Sequence, residues 1–184
     1  MRSRLGCCRP ERRARFVEEG HMPILRKLQD FLEQNQVAYT HTVHPLAYTA
    51  REVATAERVP AREVAKTVVF LSEHGYAMAV LTGDSVVDLE QLRLDLALAR
   101  LRLATEAELA DLFPPCELGA MPPFGNLYNL SVYVDESLAK CKEIAFNACT
   151  HQELLMVMYA DFQRLVKPIP LKIAQPAEHR RTAA

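Results

Sequence analysis

Two apolar runs, Lys66–Ser72 and Tyr76–Thr82, stand on either side of Glu73-His74-Gly75. That spacing predicts two strands joined by a tight turn. The first run, Ala65-Lys66-Thr67-Val68-Val69-Phe70, is rich in β-branched residues and reads as a buried strand, yet it opens with a cation. An ammonium in such a place is costly unless something compensates it. Lys66 therefore either reaches the surface from the strand end, as long cationic side chains do, or serves a small pocket for a carbonyl or an anion.

A second unusual segment lies downstream. Gly119-Ala120-Met121-Pro122-Pro123-Phe124-Gly125 combines close backbone approach at its glycines with stiffness at its prolines. It is either a plain turn between a helix and a strand or a wall of the same pocket.

The chain has 184 residues, enough for one domain with tails, and its hydrophobic content of 49% supplies one core. No stretch approaches the ~20 apolar residues of a membrane span. The arginine-rich N-terminus has no apolar segment of the secretory kind. Five cysteines, Cys7, Cys8, Cys116, Cys141 and Cys149, form no C-x-x-C pair. An odd count without framework spacing predicts reduced thiols in a cytoplasmic protein and disfavours zinc.

The net charge of -1 is unevenly spread: residues 1–21 hold six arginines against three glutamates, leaving -4 on the remainder. Such a balance gives the main domain no general attraction for nucleic acid. An RNA contact would need a local patch, for which Arg93, Arg100 and Arg102 are candidates; otherwise they form a solvated face.

Residues 1–21 read as a disordered basic leader. Glu18-Glu19-Gly20 can be encoded by GAGGAGGG, a sequence like a bacterial ribosome-binding site, so the natural start is expected at Met22; the alternative is a basic arm that helps to bind RNA. The folded domain is expected over 22–173, with a flexible tail over 174–184. Ile24, Leu25, Leu28, Phe31 and Leu32 recur at helical spacing, with Asn35 as a stop. Val37–Val43 alternates like a strand. Thr49-Ala50-Arg51-Glu52 fits a capping box that opens a helix over 50–57, and Pro60 opens another short turn. Asp88–Leu94 reads as a short helix. Thr105-Glu106-Ala107-Glu108 is a second capping box, for a helix ending before Pro114. Ser131–Asp135, Glu143–Asn147 and Glu153–Val157 read as strands, and Tyr159–Val166 as a helix stopped at Lys167-Pro168. Strands and helices interleave without βαβ spacing, so the expected fold is α/β: a compact single domain with a mixed central sheet and surrounding helices.

Several chemistries find little support. His41 and His44 stand at i, i+3, but on a strand end and without an evident third ligand for a metal; His44 facing the pocket as a polar donor is the functional alternative to a plain loop start. No G-x-S-x-G, P-loop or G-x-G-x-x-G occurs. Cys116 has no identified base partner and reads as a packed small hydrophobe. His151 lies in a turn between two expected strands, where a histidine is either functional or plain surface.

Taken in order, Ala65-Lys66-Thr67, Gly119-x-x-x-Pro123-Phe124-Gly125 and Phe146-Asn147-Ala148-Cys149-Thr150-His151 resemble the YbaK/EbsC family. This is the aminoacyl-tRNA deacylase superfamily related to the editing domain of bacterial prolyl-tRNA synthetases. His44-Pro45, Thr49–Ala54 and Tyr159-Ala160-Asp161-Phe162 add to the likeness, which covers roughly residues 24–168. The resemblance implies a YbaK-like domain that hydrolyses mischarged aminoacyl-tRNA in trans, with a small amino acid such as Cys or Ala on the tRNA. It implies Lys66, Gly119 and Pro123 as catalytic residues and matches His151 to a site histidine; Ala120, Met121, Phe124 and Gly125 are expected beside them as neighbours of the pocket, and His44 and His151 as its polar donors, all substrate-binding. The chain departs from the pattern at Cys149, where relatives often carry glycine, and at Thr67, where some alanine-specific members carry asparagine.

No metal or organic cofactor is implied. The expected partners are an aminoacyl-tRNA and an aminoacyl-tRNA synthetase, with the chain a cytoplasmic monomer away from membranes. An activated ester needs positioning and oxyanion stabilisation more than a protein nucleophile, so water or a group on the substrate makes the attack. A small pocket would reject the larger correct amino acid by exclusion. The rival readings are a non-catalytic tRNA- or protein-binding member of the same fold, a small-molecule esterase or amidase, and a metalloprotein using His41 and His44.

Overall fold

A computed structural model describes residues 23–177. The expectations for residues 1–21 and for a start at Met22 lie outside them. The first helix, α1 (Pro23–Gln34), and the first strand, β1 (Tyr39–Val43), are followed by α2 (Ala50–Glu57). The capping box that opens α2 is formed: Glu52 N donates to Thr49 Oγ1 at 3.2 Å, and Thr49 N to Glu52 Oε2 at 3.1 Å. A 3-10 turn over Ala61–Glu63 starts after Pro60. The hairpin follows as β2 (Ala65–Ser72) and β3 (Gly75–Thr82), with Gly75 at φ +104 in the turn.

Next come β4 (Ser85–Val87), α3 (Leu89–Asp95), β5 (Leu101–Leu103) and α4 (Glu106–Leu112), the last opened by the Thr105–Glu108 capping box. After the long loop come β6 (Ser131–Asp135), β7 (Glu143–Asn147), β8 (Glu153–Met158), α5 (Tyr159–Val166), β9 (Ile169–Leu171) and β10 (Ala174–Pro176).

The strands form a mixed five-stranded sheet in the order β5-β2-β3-β6-β9, a three-stranded sheet β1-β8-β7, and a small pair β10-β4. Within the larger sheet β5, β2 and β3 are antiparallel, whereas β3, β6 and β9 run parallel. The fold is the expected α/β arrangement with a mixed central sheet. A parallel bridge between Val64 and Ala145 ties the two main sheets together.

Side-chain alternation along the strands divides the apolar residues into three clusters. Val69, Met78, Val80, Val132 and Val134 of the larger sheet meet Ile144, Phe146, Leu155 and Val157 of the smaller one in the main core, with Phe124 and Phe162 between helices and sheets. The opposite face of the hairpin carries Phe70, Ala79 and Leu81 under Leu92, Leu98 and Ile173. A third cluster packs Val53 and Ala54 of α2 on Val64, Ala145 and Leu154. Because β3 is covered on both faces, it reads as an unbroken apolar run.

The tail expected from residue 174 is replaced at its start by a strand. Ala174, Gln175 and Pro176 stand opposite Val87, Val86 and Ser85. Buried Asp135 anchors them, its Oδ2 accepting from the amides of Ile173 and Ala174 at 2.9 and 2.8 Å. A segment with little apolar content is thus ordered by a buried carboxylate that needs donors.

Candidate active site

The turn between β7 and β8 folds against the Gly119 loop. Cys149 lies at φ +71, the left-handed region that favours glycine. From there the two segments are knit by reciprocal bonds. Glu117 N donates to Cys149 O at 2.9 Å, and Cys149 N to Ala120 O at 3.0 Å. His151 N donates to Glu117 Oε2 at 2.7 Å. The sulfurs of Cys116 and Cys149 are joined in a disulfide spanning 33 residues. The expectation of reduced thiols is therefore corrected for this pair: parity and spacing along a sequence carry no information on cysteines that the fold brings together from two loops. Among the described residues Cys141 is the free cysteine.

Both predicted histidines come to this junction. His44 is buried, and its amide donates to Gln152 O at 2.8 Å, while Ala47 N donates to His151 O at 3.1 Å. His44 Nδ1 donates to the carbonyl of Pro45 at 2.8 Å, and His151 Nε2 to that of Leu118 at 2.9 Å. A carbonyl only accepts, so in each neutral ring the other nitrogen is an acceptor. Those nitrogens, His44 Nε2 and His151 Nδ1, are buried without a protein partner. Gly119, at φ +92, presses close to the His151 ring. The Tyr48 ring packs at a tilt against His151, 5.0 Å between ring centroids, although the tyrosine is 66% exposed. Exposed Val43, Leu46 and Leu118 complete an apolar rim. Neither Tyr48 nor this rim stood out in the sequence, because an exposed aromatic gains meaning only from the histidine beneath it.

The rest of the loop packs inward. Phe124 is fully buried, with its ring 5.4 Å from that of Phe146 and 5.7 Å from that of Phe162. A β-carbon on Gly125 would collide with Val132 at 2.5 Å and with the Leu130 carbonyl at 2.7 Å. Met121 and Pro123 are buried as well. Phe124 and Gly125, expected as substrate neighbours, anchor the loop in the main core. Gly119 remains exposed, and Ala120 is buried beneath it.

Lys66 comes from the other sheet. It is half-buried as the second residue of β2, and its Nζ donates to the carbonyl of Ser85. Two of the three arginines considered for an RNA patch are engaged elsewhere: Arg93 pairs with Glu90 at 2.7 Å, and Arg102 with Glu108 at 2.6 Å. His41 lies 4.0 Å from Glu153. Among the described residues no group of three or more His, Cys, Asp or Glu is placed to hold a metal ion, and no helix is long and apolar enough to cross a membrane.

The model of the aminoacyl-tRNA editing domain matches residues 44–165, from the buried histidine to the end of α5. The chain belongs to this family. Among curated proteins, the editing domain resembles the multifunctional Ser/Thr-tRNA deacylase ProXp-y of Escherichia coli K12, with 34% identity over 94 residues, which is 50% of this chain and 56% of that protein. The match thus spans little more than half of the relative's length. Among solved structures it superposes on a candidate trans-editing enzyme for prolyl-tRNA synthetase with a TM-score of 0.74 at 23% identity, covering 85% of this chain and 99% of that one. A second structure, of a hypothetical protein, gives a TM-score of 0.73 at 18% identity over 81% and 99% of the two chains. At such identities the two structures speak for the fold of this editing domain.

Proposed function

We propose that this editing domain hydrolyses the ester of a mischarged aminoacyl-tRNA in trans, releasing a small amino acid and free tRNA. Membership of the editing family supports the reading. The observation that carries it is the packing of Gly119 against the buried His151 imidazole, which, like the buried His44 imidazole of the same junction, keeps an acceptor nitrogen without a protein partner.

The chemistry needs few parts. Water adds to the ester carbonyl, an oxyanion forms, the bond to the terminal ribose oxygen breaks, and that oxygen takes the proton. The Gly119 amide is free to serve the oxyanion, because its partner is only the thioether of Met121 at 3.3 Å, a weak acceptor. The Ala120 amide is already spent on Glu117 O at 3.0 Å. Lys66 contributes positive charge toward the carbonyl or a nearby phosphate. With Cys116 bonded to Cys149, no thiol is required in the reaction. Tyr48 offers a stacking surface for the terminal base.

For the amino acid, seryl and threonyl esters come first, because a relative is a Ser/Thr-tRNA deacylase; cysteinyl and alanyl esters are the other small candidates. The test is deacylation of Ser-, Thr-, Cys- and Ala-tRNA by wild type and Lys66→Ala. Turnover of one or two substrates that vanishes in the variant is the expected result. Binding of tRNA without turnover of any would overturn the proposal in favour of a binding module.

A further inference from the structure

Among the described residues, four buried side-chain atoms lack a hydrogen-bond partner: His44 Nε2, Thr67 Oγ1, Asn147 Oδ1 and His151 Nδ1. Folded proteins rarely leave such atoms unpaired, and a ligand is one of the standard reasons. Two of the four belong to the histidines already described. Thr67 shares its face of β2 with Ala65 and Val69 and so points into the main core. Asn147 remains.

Strand geometry aligns Asn147 with Lys66. Val64 and Ala145 form a parallel bridge and both pack in the third cluster. Paired residues project to the same side of a sheet, and the side repeats every second residue. Two residues on from the bridge come Lys66 on one strand and Asn147 on the other, both turned to that side. Asn147 stands opposite Leu154, another member of the third cluster, and Leu154 stands opposite Thr42 of β1. Thr42 donates to Glu57 of α2 at 2.9 Å, so α2 covers this side. Two residues beyond Thr42 comes His44. Lys66, Asn147 and His44 therefore project toward one side of the molecule from three different strands or their ends.

The unpaired atoms on this side share one chemical character. His44 Nε2, His151 Nδ1 and Asn147 Oδ1 are acceptors, and none has a protein donor. What satisfies them must bring N–H or O–H groups. An aminoacyl ester brings a primary amine, the densest donor it has. We propose that Asn147 is a positioning residue of this site, its Oδ1 accepting a hydrogen bond from the α-amine of the aminoacyl group and so turning the ester carbonyl toward Lys66 and Gly119. This inference rests on the deacylase reading and adds to it the part of the substrate that is gripped. It makes the site selective for aminoacyl over plain acyl esters.

The test compares an aminoacyl-tRNA that the wild type hydrolyses with its des-amino analogue, in which hydrogen replaces the amine. The comparison is run on wild type, Asn147→Leu and Asn147→Asp, with thermal midpoints measured for all three. Wild type is expected to favour the aminoacyl substrate in kcat/KM by about tenfold, the worth of one hydrogen bond to a charged group. Asn147→Leu is expected to lose that preference, and Asn147→Asp, which keeps an acceptor, to retain it. A preference unchanged in Asn147→Leu would overturn the proposal. So would an equal loss on both substrates, which would place the contact at the ribose or make the residue purely structural. Either result leaves the deacylase reading standing. Inactivity of the wild type on every aminoacyl-tRNA would instead overturn that reading, and this inference with it.

Discussion

The imidazole of His151 lies 3.5 Å from where a β-carbon on Gly119 would stand, and it donates to the Leu118 carbonyl one residue earlier. To the bonds that knit the loop and the turn this adds a close approach at a residue without a side chain.

Two effects of substitution separate here. A methyl group fits at ordinary contact distance, but φ +92 strains any residue with a β-carbon. Gly119→Ala is expected to lose about 1–2 kcal/mol of stability in urea denaturation. Gly119→Val adds branches that press on the His151 ring. Its deacylation is expected to fall by about 10²-fold, the scale of a displaced site group. Undiminished activity in the valine variant would place the ester elsewhere.

Lys66 invites the opposite result, loss of activity with little loss of fold. Its stem lies along β2 between the second and third clusters, while its charged end reaches the Ser85 carbonyl. Lys66→Met keeps the stem and removes the charge. Replacing a half-buried cation with an apolar group of similar length is close to neutral for stability. The expected outcome is a urea midpoint within about 1 kcal/mol of wild type, with turnover reduced about 10²–10³-fold. A large stability loss with proportionate activity loss would make Lys66 a structural residue.

The elements read correctly from sequence are those with local causes. The β2–β3 hairpin follows from two apolar runs and a glycine turn, α2 and α4 from their capping boxes, and the end of α5 from Lys167-Pro168. The loop motif and both histidines stand out in the sequence as residues of the wrong type for their surroundings. What escaped depends on contacts made far along the chain. Cys116 and Cys149 are 33 residues apart and meet only because the loop folds back on the turn. β10 is held by Asp135, 39 positions from Ala174. Phe124 sits in a motif but is consumed by the core. Asn147 was visible as part of a motif, yet its unpaired oxygen becomes apparent only once its neighbours are in place.

Asp135 supplies a stability test for the C-terminal strand. Its two oxygens accept from the backbone amides of Ser137, Ile173 and Ala174 at 2.9, 2.9 and 2.8 Å. Asp135→Ala leaves buried donors unpaired, at about 1–3 kcal/mol each. The variant is expected to lose at least about 2 kcal/mol and to exchange the amides of 173–176 faster in deuterium oxide than those of β2. Unchanged protection there would mean that β10 is held by β4 alone.

Glu108 offers a pH signature. Bonds from Arg102, then from the Thr105 amide and Tyr76, hold its carboxyl well below the ordinary value of 4.5. A carboxylate with a lowered folded-state pKa stabilises the fold above its unfolded-state value, and that contribution is lost as pH falls through the folded one. The gap in urea midpoint between wild type and Glu108→Gln is expected to be greatest near neutrality and to close as the pH drops below 4.5. A gap independent of pH would assign the effect to packing. The group is on the surface, so 1 M salt is expected to narrow it.

The disulfide makes a prediction that chemistry can read directly. Unfolded but unreduced protein treated with iodoacetamide is expected to carry label on Cys141 and none on Cys116 or Cys149 until a reductant is added. Tyr128 caps the pair, its hydroxyl 3.8 and 3.9 Å from the two sulfurs, and burial pushes its pKa up to about 12, so it stays protonated. Closing a loop of 33 residues is worth about 3–4 kcal/mol in the chain-entropy model, and reduction is expected to lower stability by up to that amount. Under reducing conditions a second comparison isolates the backbone. At φ +71 glycine is the easier residue, so Cys149→Gly is expected to be more stable than Cys149→Ala by about 1 kcal/mol. The reverse order would mean that the buried methyl outweighs the left-handed strain.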